Sequence, residues 1–118
     1  MKSSTPTVPG EGAGQVDSPD AARILLDVPE ALRPLLPELY SALREELAAT
    51  DAAQGRDDGE GVRQAAHRLK GAAMRFGLAK LSLEAARAED EAGKGNREEA
   101  SQALTKFEWL LTQLESGV

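Results

Sequence analysis

At 118 residues, 41% of them apolar, the chain suffices for one domain around a single core, and with no cysteine it has neither a disulfide framework nor a thiolate metal site. Its formal net charge of −6 disfavours nucleic acid as a partner, because no basic stripe is long enough to neutralise several phosphates, and its single histidine argues against a histidine-based zinc site. No apolar run approaches the roughly 18 residues of a membrane span and no signal-peptide pattern opens the chain, so the expected setting is soluble and cytoplasmic, with no membrane partner.

Alanine, leucine, glutamate and arginine dominate, whereas strand-forming valine, isoleucine and aromatics are scarce. That composition predicts an all-α protein. Residues 1–17 hold Pro6, Pro9, Gly10, Gly12 and Gly14 among serines and threonines. Such a segment cannot bury enough apolar surface to offset its ordering entropy, so it reads as a disordered tail or linker ahead of a domain at 18–118. Ser18 as N-cap and Pro19 at the first helical position predict a short helix through about Leu26, interrupted at Val28-Pro29.

A leucine-dense helix follows, carrying Leu32, Leu35, Leu36, Leu39, Tyr40, Leu43 and Leu47. Pro34 and Pro37 each remove an amide donor and disfavour helix at the preceding residue, so the regular helix is expected to begin near one of them and run to about Ala49. Thr50 to Gly59 is polar with two glycines and reads as a surface loop.

The next helix should start near Gly59 to Gly61 and end at Phe76-Gly77, with Gly77 taking the left-handed conformation past its end. Val62, Ala66, Leu69, Ala73 and Phe76 draw one apolar stripe at steps of three and four. At about 100° per residue, His67 lies about 160° from the middle of that stripe and points at solvent. Arg63, Gln64, Lys70, Gly71 and Met74 share its face. Packing therefore does not account for His67. Gly71 costs the helix about 1 kcal/mol relative to alanine, and it clears the space beside the ring for a large partner surface.

Leu78 to Ala92 forms a further helix with Leu81, Ala85 and Ala88 inward and Leu83 and Ala86 on the flank; Glu84, Glu89, Asp90 and Glu91 are expected to face water. Gly93-Lys94-Gly95-Asn96 breaks the chain, and Asn96 with Glu99 resembles a capping box. The last helix runs to about Leu114 with Ala100, Ala103, Leu104, Phe107, Leu110, Leu111 and Leu114 inward. Trp109 sits off that stripe and is expected to be a partly buried packing residue; an exposed tryptophan would instead mark a contact surface. Four helices with short connections predict an antiparallel up-down-up-down four-helix bundle with a short extra N-terminal helix.

The run AAHRLKGAAMRFGLAKL, residues 65–81, closely resembles the signature of histidine-containing phosphotransfer (HPt) domains of bacterial phosphorelays. His67, Leu69, Lys70, Gly71, Ala72, Gly77 and Leu81 fit that pattern in order, and similar helical patterning covers roughly residues 29–116. The family's hydrophobe and glutamate late in the following helix are matched by Ala88-Glu89, with the hydrophobe shrunk. The resemblance implies that His67 accepts a phosphoryl group from a receiver-domain aspartyl phosphate and passes it to another response regulator. It puts Lys70 near the phosphoryl oxygens and makes Gly71 the access residue. Arg63, Gln64, Arg68, Met74 and Arg75 are position-based candidates for the docking surface, with a solvated helix face the plain alternative for Arg68 and Arg75. Partners would be receiver domains and a hybrid or sensor histidine kinase, with the receiver supplying carboxylates and Mg²⁺, so the chain itself needs no cofactor. It is expected to be a monomer and a carrier without kinase activity, since no GxxxxGK[ST] loop occurs. Two other readings stand beside this one: the phosphoacceptor module of a chemotaxis-type histidine kinase, and a helical adaptor that never carries phosphate.

Overall fold

The computed structural model describes residues 28–117, so the expected tail and the helix at 18–26 lie outside the described residues. Among those residues there are four α-helices and no strand: α1 (Leu36–Gly55), α2 (Gly59–Arg75), α3 (Ala79–Gly93) and α4 (Arg97–Gly117). A single 3-10 helix, Glu30–Leu35, precedes them. Pro34 sits inside that 3-10 helix, and Pro37 falls in the first turn of α1, where its missing N–H has no helical partner to lose. The prolines thus set where the α-geometry begins.

Each link between helices is three residues, Arg56–Asp58, Phe76–Leu78 and Lys94–Asn96. Such short links turn the chain back on itself, so successive helices run antiparallel. The middle residue of every link is left-handed: Asp57 at φ 58°, Gly77 at 74° and Gly95 at 82°. Asp57 is the one of these with a Cβ, and its carboxylate pairs with Arg97 at 3.0 Å across the same end of the bundle. Asp58 caps α2 by accepting from the Gly61 amide at 3.0 Å. A Cβ at Gly61 would collide with that Asp58 side chain, so the cap and the glycine require each other.

The loop expected at 50–59 does not form as such. Residues 50–55 continue α1, leaving only the three-residue link. Thr50 is fully buried and donates its hydroxyl to the Leu47 carbonyl at 2.6 Å, so it counts as a core position despite its polarity. Ala53 extends the same buried row. Leu35, expected on the apolar row, is instead 43% exposed on the 3-10 helix, while Leu32 packs partly against the core.

The core is built from the stripes read in the sequence: Leu36, Leu39, Leu43 and Leu47 of α1, Val62, Ala66, Leu69 and Ala73 of α2, Leu81, Ala85 and Ala88 of α3, and Ala103, Phe107, Leu111 and Leu114 of α4. Alanine supplies most of the buried α2–α3 seam, which lets those backbones approach closely. Polar groups add a further tie between α1 and α4. Arg44 forks onto Glu115 at 2.7 and 3.2 Å and reaches Thr112 at 2.9 Å and Glu108 at 3.3 Å.

Phe107 is fully buried, and Phe107→Ala should cost about 3–5 kcal/mol in urea unfolding. Leu83, 67% exposed on α3, should change stability by no more than about 0.5 kcal/mol on truncation to alanine.

Candidate functional site

His67 stands on α2 with its side chain 63% exposed, as its position opposite the apolar stripe predicts. The ring is not free. Its Nδ1 lies 3.0 Å from Oε2 of Glu89, which comes from α3. The other oxygen of that carboxylate takes the Lys70 ammonium at 2.8 Å, and Arg63 Nη1 approaches Oε2 at 4.0 Å. One glutamate therefore receives three groups from α2. Its side chain is only 19% exposed, so the expectation that Glu89 faces water does not hold. Glu84 is likewise buried, between Arg87 at 3.6 Å and Lys106 at 3.7 Å.

The protonation pattern follows from donor and acceptor chemistry. The Lys70 hydrogen bond, and after it the His67 contact, hold the Glu89 carboxyl below the usual carboxylate range against the opposing effect of burial. An ionised carboxylate has no proton to give, so Nδ1 must carry the hydrogen. In the neutral ring Nε2 then holds the lone pair, on the side turned to solvent. A nucleophilic nitrogen is thereby exposed, and its orientation is fixed from a neighbouring helix.

The remaining residues singled out in the sequence take distinct places. Arg63 and Gln64 are both held by Glu60, at 2.9 Å from Arg63 Nε and 3.0 Å from Gln64 Nε2. Arg63 first and Gln64 second draw the Glu60 carboxyl down to about 2. Arg68 turns away toward α1 and donates to Glu46 at 2.9 Å. Met74 is exposed two turns along the His67 face. A Cβ at Gly71 would meet nothing closer than the Arg75 guanidinium at 3.7 Å. Nothing within the chain demands glycine there.

Sequence reasoning missed Glu60 and Glu89 as site residues. Glu60 carried a readable signal, standing three and four residues before Arg63 and Gln64 on one helix. Glu89 had only its place in the family pattern, because a contact between helices 22 residues apart has no local period. Among the described residues no group of three or more His, Cys, Asp or Glu side chains is placed to hold a metal ion, and no helix is long and apolar enough to cross a membrane.

Compared with known protein families, residues 27–117 match the model described as Hpt domain. No curated protein and no solved structure matches the chain.

Two outcomes test the Glu89 hub. Nitrogen-15 NMR at alkaline pH, where imidazole is neutral, should show His67 as the Nδ1–H tautomer, with that preference lost in Glu89→Ala. The second concerns acid. Because the folded-state pKa of Glu89 is depressed, its stabilisation is complete above the unfolded value of about 4.3 and drains away as pH falls through the lower folded value. Urea unfolding between pH 6 and 3, taken as about the span of carboxylate titration, should therefore show a smaller acid-induced loss in Glu89→Gln than in the unaltered chain.

Proposed function

The chain belongs to the Hpt domain family, and from that premise we propose that His67 accepts a phosphoryl group from the aspartyl phosphate of a receiver domain and hands it to a second response regulator. Family membership itself gives the chain a histidine phosphotransfer role in phosphorelays, with receiver domains and kinases as its partners. The assignment of the acceptor is carried by one observation: the exposed imidazole whose Nδ1 lies 3.0 Å from the Glu89 carboxylate.

In the proposed step the Nε2 lone pair forms the N–P bond while the P–O bond to the aspartyl carboxylate breaks, and that carboxylate leaves with the bonding electrons. The ring gains imidazolium character because Nδ1 keeps its hydrogen. Glu89 already faces that hydrogen, so the growing positive charge meets a carboxylate in place. Reversal gives the group back to a second receiver by the same path. Phosphoryl transfer needs positioning and charge neutralisation more than covalent machinery. Lys70, one turn on from His67, is the ammonium expected to exchange from Glu89 to a phosphoryl oxygen. The carboxylates and Mg²⁺ that activate the phosphate belong, on this reading, to the receiver.

Gly71 acts by what it lacks. Its open surface lets a receiver loop descend beside the ring, and Arg68, Met74 and Arg75 form the surrounding docking face. Arg75 and Met74 are exposed on the side of Gly71 away from His67, and Arg68 flanks the ring.

Incubation with a phosphorylated receiver should give an acid-labile, base-stable phosphate on this chain, lost in His67→Gln; absence of that adduct with every receiver of the source organism would falsify the carrier reading. Gly71→Ala should separate stability from function. The variant should unfold about 1 kcal/mol later in urea, yet accept phosphate from a receiver at least about tenfold more slowly, a barrier increase of about 1.4 kcal/mol.

A further inference from the structure

The imidazole opens onto a hollow lined by Arg63, Gln64, Arg68 and Glu89. Helical side chains lean toward the N-terminus, so the ring covers the turn holding Arg63 and Gln64 rather than the turn holding Gly71. Glu60 fixes both of those residues, and Arg63 Nη1 is drawn to the same Glu89 oxygen that accepts from Nδ1. The Arg63 stem runs beside Gly93 of α3, where a Cβ would make only ordinary contact with Arg63 Cδ at 3.5 Å. Lys70 lies beyond Glu89, in a neighbouring basin that shares Arg63 and Glu89 with this hollow. Arg68 gives its Nε hydrogen to Glu46 of α1 at 2.9 Å.

We propose that the phosphoryl group on Nε2 of His67 rests in this hollow, held by the Arg63 guanidinium and the Gln64 amide, with Glu60 as the positioning residue for both. The assignment rests on the reading of His67 as phosphoacceptor and gives the phosphorylated state its own contacts within the chain. Arg63 has five N–H donors in a fixed fork, so it can meet phosphoryl oxygens without leaving Glu60. Gln64 has two amide hydrogens and commits one to Glu60, leaving the other for the phosphate. Arg63 and Gln64 thus touch the transferred group directly, whereas Glu60 acts through them.

Phosphoramidate tests this without any docking partner. In that reaction the Nε2 lone pair forms the N–P bond, the donor's P–N bond breaks and ammonia leaves with its electron pair, while the Nδ1 hydrogen stays against Glu89. Labelling is followed by phosphorus-31 NMR and urea midpoints are measured alongside, for the unaltered chain, Arg63→Ala, Arg63→Lys, Gln64→Ala and Glu60→Gln. With folding intact, Arg63→Ala, Gln64→Ala and Glu60→Gln should label about three- to tenfold more slowly and shift the phosphohistidine resonance, with partial recovery in Arg63→Lys. Labelling at the unaltered rate with an unchanged resonance overturns the proposal, even if transfer from a receiver slows, because the residues then serve docking alone. If the unaltered chain gains no phosphohistidine from phosphoramidate or from any receiver, the phosphoacceptor reading fails and the proposal falls with it.

Discussion

A single carboxylate that has lost its proton governs the site. Glu89 can only accept hydrogen bonds, so the nitrogen beside it must be the one that carries hydrogen, and in the neutral ring the far nitrogen keeps the lone pair. That constraint would fail if the carboxyl were protonated or free to rotate away. Lys70 guards against both, holding the second oxygen at 2.8 Å and favouring the charged form. The packing of α2 on α3 has a corresponding duty. Alanines along the seam bring the two backbones close enough for a glutamate on one to reach a histidine on the other.

The rest of the fold can be understood as keeping that pair of helices in register. The three-residue links leave little freedom for one helix to slide along the next, and each reverses direction through one left-handed residue. Where glycine is missing from that position, Asp57 takes its place with Arg97 as a charged partner. On the far side, Arg44 ties α1 to α4 through two carboxylates and a hydroxyl. Exposed pairs of this sort contribute little individually, and a forked arginine with several acceptors is the arrangement in which they contribute most. An acidic chain thus keeps arginines and a lysine around its histidine, although most of that positive charge is already matched by glutamates on the same surface.

Much of this was legible before the fold was known. The apolar stripes of α2, α3 and α4 became core nearly residue for residue, and the exposure of His67 followed from its angle to one of them. The turn at Gly77 was equally plain, since a left-handed residue past a helix end is a local property. Three features escaped for physical reasons. Thr50 reads as polar, yet its hydroxyl is satisfied one turn back in its own helix, so a run that resembled a loop could stay helical and buried. Leu35 reads as apolar core, but the 3-10 geometry imposed around Pro34 turns it outward. Glu89 looked solvated because glutamates usually are, and its partners come from a different helix.

His67 and Glu89 lie on consecutive helices joined by the link at Phe76–Leu78, so among the described residues the ring and its carboxylate partner belong to one helical hairpin, residues 59–93. Closing a loop of that span costs little chain entropy, and helical proteins rich in such local contacts fold on fast timescales. The chemistry is therefore portable in a way that sites assembled from distant segments are not. So long as α1 and α4 offer an apolar backing, their outer surfaces can drift in sequence and acquire new partners while the histidine keeps its tautomer.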